Sequence, residues 1–309
     1  MNIFQVDPES EIVVTCGSTE AMMATMLSIT NPKDKVVIFS PFYENYGADT
    51  ILSGAEPIYV PLVPPDFTFS IEQLENAFKQ GAKALILCNP SNPCGKVFTF
   101  EELTAIADVV KKYDAYVVTD EVYEHILYKP NKHIYMATLP GMRERTIICN
   151  SLSKTYSITG WRLGYVIAPP EVIDRVKKVH DFLTVGAAAP LMEAVVPGLN
   201  FGDDYYVALQ DHYTHMKNLF VGGLKDIGLS FTEPQGAYYV MVDISEFGYK
   251  DDYEFCVDLA EKVGVGAVPG SSFFREDVNQ YIRFHFAKKD DTLNAALERL
   301  ADIRKILKK

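Results

Sequence analysis

The stretch SLSKTYSITGWRLGY, residues 151–165, places one lysine among hydroxyl side chains and an arginine eight residues later. Lys154 follows the strand-like run TIICN and precedes the strand-like run GYVIA. A lysine held in a partly desolvated pocket has a lowered pKa and can form a Schiff base with an aldehyde. Ser151, Ser153 and Arg162 carry groups that suit a phosphate dianion. The alternative is a surface lysine, the commonest setting for this side chain.

A second stretch, TCGSTEAMMATML at residues 15–27, passes from a β-like run through Gly17, Ser18 and Thr19 into a helical pattern. Free backbone N–H groups at a helix N-terminus, with hydroxyls at the first positions, form a natural phosphate site. The alternative is plain N-capping of the helix by Ser18 or Thr19. Taken alone, this stretch is compatible with both interpretations.

An acidic pair closes the apolar run VVTDEVY at residues 117–123. Asp120 lies at the carboxyl end of a predicted strand, where the ligands of open α/β sheets bind. A buried carboxylate at that position needs a cationic or N–H partner, because an unpaired buried charge is costly. The alternatives are a solvated acid at a strand end and a helix cap.

Short β-branched runs between residues 36 and 168 must position these groups: VVIF, PIYV, ALILC, YVVTD, TIICN and GYVIA. Two amphipathic helices separate some of them, and each opens with a capping-box signature, Ser70 with Gln73 and Thr99 with Glu102. Apolar strands that alternate with helices predict an α/β fold with a largely parallel sheet.

The pattern changes after Pro169. A long helical stretch is predicted over about residues 171–228, followed by a strand in FTEPQGAYYVMVDI, a helix in DDYEFCVDLAEKV, a strand in YIRFHFA and a C-terminal helix in DDTLNAALERLADIRKIL. Strands and helices without regular alternation predict a smaller α+β domain. We therefore expect a large domain over residues 1–205 and a small domain over residues 206–309, linked by a long helix around residues 204–228.

Composition and charge exclude several classes of function. The 309 residues are 48% hydrophobic and 23% charged, which is ordinary for a globular enzyme and not for a disordered chain. The net charge of −12 repels phosphate backbones, so no nucleic-acid partner is expected. No apolar stretch is long enough to span a bilayer, and no secretory signal is visible, so no membrane partner is expected.

The cysteines and histidines add two expectations. Five cysteines are scattered without a CxxC pair, which indicates reduced thiols in a cytoplasmic protein. The six histidines show no HExxH motif or other grouping of metal ligands, so no metal site is expected.

The three chemical stretches fall at the edge of one predicted sheet. A lysine for an aldehyde, a carboxylate for a pyridine nitrogen and a cradle for a phosphate are what pyridoxal 5′-phosphate (PLP) requires. With these features the chain resembles the class I/II aminotransferases, which are fold-type I PLP enzymes, along nearly its whole length. The resemblance rests on GSTEA (17–21), PFY (41–43), NPSNPCG (89–95), TDEVY (119–123), SLSKTYSITGWRLGY (151–165), PQGAYY (234–239), VPGSSF (268–273) and IRFHFA (282–287).

The resemblance implies a large domain with a mostly parallel, seven-stranded sheet and a smaller C-terminal α+β domain. Lys154 would hold PLP and shuttle a proton between the substrate Cα and C4′ of the cofactor. Asp120 would keep the pyridine nitrogen protonated. Tyr123 would hydrogen-bond the 3-oxygen of the ring, and Tyr43 would stack on its face.

The remaining implied roles concern the phosphate and the substrate. Asn92 would also bond the 3-oxygen and would contact the substrate, whose α-carboxylate Arg283 would bind through a planar bidentate contact. The implied cofactor-binding set is Gly17, Ser18, Thr19, Tyr43, Asn92, Asp120, Tyr123, Ser151, Ser153, Lys154 and Arg162; the implied catalytic residues are Lys154, Asp120 and Tyr123.

The chain departs from the family pattern before the GSTEA motif. Family members carry an N-terminal arm there, part of the small domain, a substrate-gating loop and a tyrosine that reaches the neighbouring subunit's phosphate, whereas only 16 residues precede Gly17. We expect either a truncated or mis-started product or a protein that manages without that segment. Arg283 would then lack its usual covering wall, and water exclusion from the site would be reduced.

The expected activity is transfer of an amino group from an L-amino acid to a 2-oxo acid by a ping-pong route, in a homodimer. A PLP β-lyase acting on sulfur amino acids is an alternative, because it shares every cofactor motif. A non-catalytic PLP-binding module and a degenerate fragment that merely folds are two further alternatives. The identity of the amino acid stays open at this point.

Overall fold

A seven-stranded sheet forms the centre of the computed structural model, which describes residues 5–308. Its strands are β1 (Ile12–Thr15), β2 (Lys35–Ser40), β3 (Glu56–Pro61), β4 (Ala82–Cys88), β5 (Tyr116–Asp120), β6 (Thr146–Ser151) and β7 (Gly164–Ile167). They lie in the order β1-β7-β6-β5-β4-β2-β3. Five neighbouring strands, β3, β2, β4, β5 and β6, pair in parallel, whereas β7 is antiparallel to both of its neighbours. The expected α/β class with a largely parallel sheet is confirmed.

Helices cover both faces of this sheet. Four lie between its strands: α1 (Gly17–Ile29), α2 (Asn45–Leu52), α3 (Ile71–Lys79) and α4 (Phe100–Lys112). Val36 and Ile38 of β2 pack in one apolar cluster, while Val37 and Phe39 pack in another on the opposite face. Alternate residues of one strand therefore meet different helical layers, which is why the run reads as continuously apolar.

The predicted helix starts are confirmed at both capping motifs. Ser70 Oγ accepts a hydrogen bond from the N–H of Gln73, at 3.3 Å. At the start of α4 the N–H of Glu102 donates to Thr99 Oγ1 at 3.2 Å, and the N–H of Thr99 donates to Glu102 Oε2 at 2.9 Å. Each contact satisfies a backbone donor that has no partner within its own helix.

The single helical stretch predicted over about residues 171–228 is wrong in its continuity. It consists of three helices, α5 (Pro170–Thr184), α6 (Ala189–Leu199) and α7 (Asp203–Ile227). Val185 ends α5 with φ of 65°, and Pro190, in the first turn of α6, has no N–H to continue an earlier helix. A long helix, α7, covers the region around residues 204–228, and the predicted domain boundary at residue 205 lies inside it.

The C-terminal part forms a second, antiparallel sheet of four strands in the order β10-β11-β9-β8. Its elements are β8 (Ser230–Phe231), β9 (Tyr239–Asp243), α8 (Asp252–Asp258), which continues as a π-helical turn (Leu259–Val263), β10 (Val268–Pro269), β11 (Tyr281–His285), α9 (Asp290–Leu300) and α10 (Ile303–Leu307). Its core includes the fully buried rings of Phe247, Phe255 and Phe286. The division into two domains stays a prediction.

Two further features concern the cysteines and the helices. All five cysteines are free thiols. Within residues 5–308, no helix combines the length and the apolar character needed to cross a membrane.

Candidate active site

A cavity of about 300 Å³ opens at the carboxyl ends of β4, β5 and β6. Its lining residues are Ser18, Thr19, Tyr43, Tyr46, Cys88, Asn92, Asp120, Val122, Tyr123, Ser151, Ser153, Lys154, Thr159, Arg162, Tyr239 and Arg283. Every site residue expected from the sequence is among them except Gly17, which lies directly behind Arg162. The structure thus brings together residues that are up to 265 positions apart in the chain.

Parallel pairing explains this convergence. Asp120, the last residue of β5, is in register with Cys88 at the end of β4 and with Cys149 near the end of β6. The carboxyl ends of these strands therefore meet at one edge, where ligands of open α/β sheets bind.

Lys154 lies in the turn that follows β6. Its Nζ makes no hydrogen bond and no ion pair with any residue in the described part of the chain. The amine lies 6.0 Å from the ring centroid of Tyr123 and 5.7 Å from that of Tyr238. An amine that faces a cavity without a fixed partner is available for reaction with a carbonyl group.

The start of α1 also lines the cavity. Cys16 occupies the N-cap position but makes no side-chain capping bond, and its N–H donates to Glu20 Oε2 at 2.5 Å. Ser18 and Thr19 line the cavity instead of capping the helix. The alternative of plain N-capping by these two hydroxyls is therefore not what the structure contains.

Two glycines allow the start of α1 to touch the start of β7. A Cβ atom on Gly164 would lie 2.4 Å from the carbonyl carbon of Gly17 and 2.6 Å from the nitrogen of Ser18. Gly17 has φ of +81°, and a Cβ there would lie 2.5 Å from Nη2 of Arg162. Because neither glycine carries a side chain, Arg162 and the N-terminus of α1 can both face the same part of the cavity.

The hydroxyls after β6 complete this end of the cavity. Ser151 Oγ accepts the N–H of Ser153 at 2.9 Å and donates to the carbonyl of Leu163 at 3.3 Å. Arg162 has left-handed backbone geometry, with φ of 55°, and its Nη1 donates to the carbonyl of Thr159 at 3.0 Å. Hydroxyls, a guanidinium and a helix N-terminus together suit a phosphate dianion.

Asp120 is buried, with 7% of its surface exposed. Its Oδ2 accepts the hydroxyl of Tyr46 at 2.7 Å, and its Oδ1 accepts the N–H of Val122 at 3.3 Å. Burial raises the pKa of Asp120, while the two hydrogen bonds and the charge of Lys154 act in the opposite direction. No cation forms an ion pair with this carboxylate within residues 5–308, so it is suited to a cationic N–H group in the cavity.

Tyr123 forms a buried pair with Tyr239, the two hydroxyl oxygens being 2.9 Å apart. Burial raises the pKa of both phenols, so both are neutral near physiological pH. A neutral phenol in this position can donate a hydrogen bond to a negatively charged oxygen in the cavity.

Arg283 lies on β11, one of the two central strands of the second sheet. Its side chain lines the cavity. Its Nη1 donates to Asn92 Oδ1 at 2.6 Å. Its guanidinium carbon lies 4.4 Å from the ring centroid of Tyr239 and 4.3 Å from that of Phe273. Two rings and one amide hold the guanidinium plane, and no carboxylate in the described chain forms an ion pair with it. A ligand carboxylate is its natural partner.

Several lining residues were missed at the level of sequence: Tyr46, Cys88, Val122, Thr159 and Tyr239. Tyr46 is the important one, because it supplies half of the contacts of Asp120. Local pattern gave no signal for it, because Tyr46 lies on α2, 74 positions before Asp120 in the chain.

One group among residues 5–308 has the composition of a metal site: Glu121, Glu124 and His133. It lies outside the cavity lining and already forms a hydrogen-bonded network. His133 Nε2 lies 3.3 Å from Glu121 Oε2, while Tyr135 and Asn150 donate to the two oxygens of Glu124 at 2.5 and 2.7 Å. These contacts describe a partly buried hydrogen-bond network.

Comparison with known proteins places the chain in a family. The family model described as aminotransferase class I and II matches residues 2–300. A probable N-succinyldiaminopimelate aminotransferase of Mycobacterium tuberculosis is 37% identical over 307 residues, which cover 96% of this chain and 77% of that protein. Human kynurenine–oxoglutarate transaminase 3 is 33% identical over 324 residues, covering 95% of this chain and 71% of that protein.

A solved structure gives the same result. The crystal structure of a methionine aminotransferase from Escherichia coli superposes with a TM-score of 0.93 at 34% identity, covering 97% of this chain and 78% of that one. Sequence and fold therefore agree over nearly the whole length. The chain belongs to the class I and II aminotransferases and is an aminotransferase.

Proposed function

We propose that this aminotransferase uses PLP to move an amino group from an L-amino acid to a 2-oxo acid by a ping-pong route. This proposal is supported by one observation: a lysine amine, a buried carboxylate and a set of phosphate-binding groups line the same cavity. Members of the family are generally PLP-dependent. PLP, when bound, supplies an electron sink for the negative charge that develops at the substrate Cα.

The residues present fit this cofactor. Lys154 Nζ is free to bond the aldehyde, and Asp120 has no fixed cation, so it can hold the proton of the pyridine nitrogen. The glycine contact between α1 and β7 leaves room for a phosphate where side chains would otherwise lie. Ser18, Thr19, Ser151, Ser153 and Arg162 would bind the phosphate.

The remaining roles follow from the hydrogen bonds that are already made. Because Asn92 Oδ1 accepts from Arg283, its amide N–H groups are left to donate to the 3-oxygen of the ring. Tyr123 would donate to the same oxygen, and Tyr43 would stack on the ring. Lys154, once released by the substrate, would take the proton from Cα and deliver it to C4′ of the cofactor.

Replacement of Gly17 by alanine is expected to weaken PLP binding beyond any general loss of stability. The left-handed backbone alone costs about 1–2 kcal/mol for a residue with a Cβ atom. The added methyl group also meets Arg162 and displaces it. Gly81→Ala is a matched control, because Gly81 has φ of +89° and nothing within 4 Å of its Cβ position. Equal PLP affinity of the two variants, measured by fluorescence titration, would contradict the proposal that Gly17 forms part of the phosphate-binding site.

Replacement of Arg283 by lysine is expected to raise KM for the amino acid by about 10- to 100-fold, with a smaller change in kcat. Lysine keeps the charge but loses the bidentate geometry, and hydrogen bonds to charged groups contribute about 1.5–3 kcal/mol. Arg275→Lys is the control, because Arg275 also lies over aromatic rings, those of Phe42 and Tyr59, but outside the cavity. Steady-state kinetics with matching KM values for the two variants would argue against a carboxylate-binding role.

We also propose that the enzyme is a cytoplasmic homodimer with small-molecule partners and two domains, residues 1–205 and 206–309. The free thiols support the compartment, and the net charge of −12 argues against nucleic acid. Exposed apolar side chains on and after α5, Phe182 at 91% and Val185 at 80%, support a protein–protein contact. Sedimentation velocity giving the mass of one chain at micromolar concentration would rule out the dimer.

The direct test is a panel of amino acids offered with 2-oxoglutarate as acceptor. The names of the relatives suggest methionine, kynurenine and N-succinyldiaminopimelate as first donors, besides glutamate. Formation of the matching 2-oxo acid, dependent on the acceptor, is the expected result. Release of pyruvate and ammonia from cystathionine without an acceptor would indicate a β-lyase. PLP binding without turnover of any donor would indicate a binding module.

A further inference from the structure

Asp49 is a buried acid for which the reaction above has no use. It lies on α2 with 5% of its surface exposed, and its Oδ2 has no hydrogen-bond partner among the described residues. Buried polar atoms are almost always hydrogen-bonded, and an unsatisfied one is costly. A buried carboxylate without a partner therefore calls for an explanation.

The position of Asp49 supplies one. It lies three residues after Tyr46 on α2, so the two side chains share a helix face. Tyr46 donates its hydroxyl to Asp120, and the charge of Asp120 in turn acts on Asp49. The other titratable groups around this point include Tyr43 before α2, Cys88 on β4 and Cys149 on β6. The positive charges nearby are those of Lys154, which acts on Asp120, and Arg162, which acts on Tyr43. Neither forms an ion pair with Asp49 or Asp120 within residues 5–308.

The site thus contains two buried carboxylates, and neither forms an ion pair among residues 5–308. Burial, followed by the neighbouring charge of Asp120, raises the pKa of Asp49 to about 7. The two negative charges repel each other, and a cation that lies close to both offsets this repulsion. In the proposed function that cation is the protonated pyridine nitrogen held by Asp120.

We propose that Asp49 is a positioning residue of the cofactor site, whose carboxylate places a second negative charge near the Tyr46–Asp120 pair and strengthens the hold of Asp120 on a protonated pyridine ring. This inference rests on the proposed PLP function. Asp49 does not touch the ring; it acts through Asp120 and the Tyr46 hydroxyl that bonds it. An uncharged residue at position 49 would leave the contacts of Asp120 in place and remove only the second charge.

The test is the affinity for PLP of wild type, Asp49→Asn and Asp49→Ala at pH 8.5 and at pH 5.5. At pH 8.5 Asp49 is ionised, so both variants are expected to bind PLP about tenfold more weakly than wild type, the size of one pKa unit of charge interaction. At pH 5.5 wild-type Asp49 is largely protonated, and the ratio is expected to approach one. Asp66→Asn, at an exposed site, is the control and should match wild type at both values.

A second measurement needs no cofactor. The pKa of Asp49 in the folded protein is raised above its value in the unfolded chain, so the fold keeps the proton while the unfolded chain loses it. The contribution of this group to the free energy of unfolding of the cofactor-free protein is therefore highest at low pH, and it is lost as the pH rises from about 4 to 7. Asp49→Asn should gain Tm relative to wild type at pH 8.5 and gain less at pH 5.5.

The two measurements separate the ways in which the inference can fail. An affinity ratio that is the same at both pH values, for both variants, would show that the negative charge of Asp49 does not strengthen PLP binding and would overturn this inference alone. A Tm difference that does not depend on pH would also overturn it, because Asp49 would not titrate in this range. Failure of wild type to bind PLP would overturn the proposed function, and this inference with it.

Discussion

Replacement of Lys154 by alanine is expected to lower kcat by at least about 10⁴-fold while leaving the fold intact. The side chain both bonds the cofactor and moves the proton, and proton transfer by a positioned group alone contributes about 10²–10⁴-fold. Its Nζ makes no hydrogen bond within the described chain, so stability should change by less than about 0.5 kcal/mol. The measurement is turnover of the best donor in the panel, together with thermal unfolding of the cofactor-free protein.

A matched control separates the chemistry from the loss of a cation near an aromatic ring. Lys112 also lies over a tyrosine, 5.5 Å from the ring centroid of Tyr113, but on the exposed face of α4. Lys112→Ala should retain full activity. If Lys154→Ala kept more than a few per cent of wild-type kcat, the central role of this lysine would be excluded.

Replacement of Asp120 by asparagine is expected to lower kcat/KM by about 10²–10⁴-fold, which corresponds to the 3–5 kcal/mol lost when one partner of a buried pair is removed. Asparagine has the same shape and can still accept the hydroxyl of Tyr46 through its carbonyl oxygen. The change therefore removes the charge and keeps the packing. The rate of the first half-reaction, followed in single turnover with excess amino acid, measures the effect without the acceptor.

Tyr46→Phe gives a graded comparison. It removes one hydrogen bond to Asp120 and leaves the charge, so its effect should be smaller than that of Asp120→Asn. The hydroxyl lowers the pKa of Asp120, so its loss should raise that pKa and shift the acidic limb of the pH–rate profile upward. Equal losses in the two variants would mean that geometry, and not charge, determines the contribution of Asp120.

The residues that line the cavity were more predictable from the sequence than the residues that hold them in place. Ser18, Ser151, Lys154 and Arg162 lie beside strand or helix ends, so local pattern and the rule of sheet edges were enough to bring them together. The partner of Asp120 was foreseen only in part. An N–H donor was expected and is Val122, whereas the hydroxyl of Tyr46 comes from a residue 74 positions earlier, which local pattern cannot reveal.

The helical region after Pro169 shows where apolar spacing failed to predict the structure. Apolar spacing predicted one stretch because it is helical almost throughout. The interruption at Val185 depends on a positive φ in a β-branched residue, which propensity disfavours and only tertiary contacts can impose. The contact between Asn92 and Arg283 likewise joins the loop after β4 to a strand of the second sheet across 191 residues. Only the resemblance to a family, and not spacing, had linked these two residues.

The contact between Gly17 and Gly164 has a consequence for how the protein acquires its cofactor. The phosphate cradle is made from segments 147 positions apart in sequence, so it cannot exist in a partly folded chain whose first and last strands of the large sheet have not met. Such long-range contacts carry a high loop-closure cost and form slowly. Tight retention of the cofactor should therefore appear only after this sheet has closed on its β1 edge, which makes cofactor uptake a reporter of complete folding.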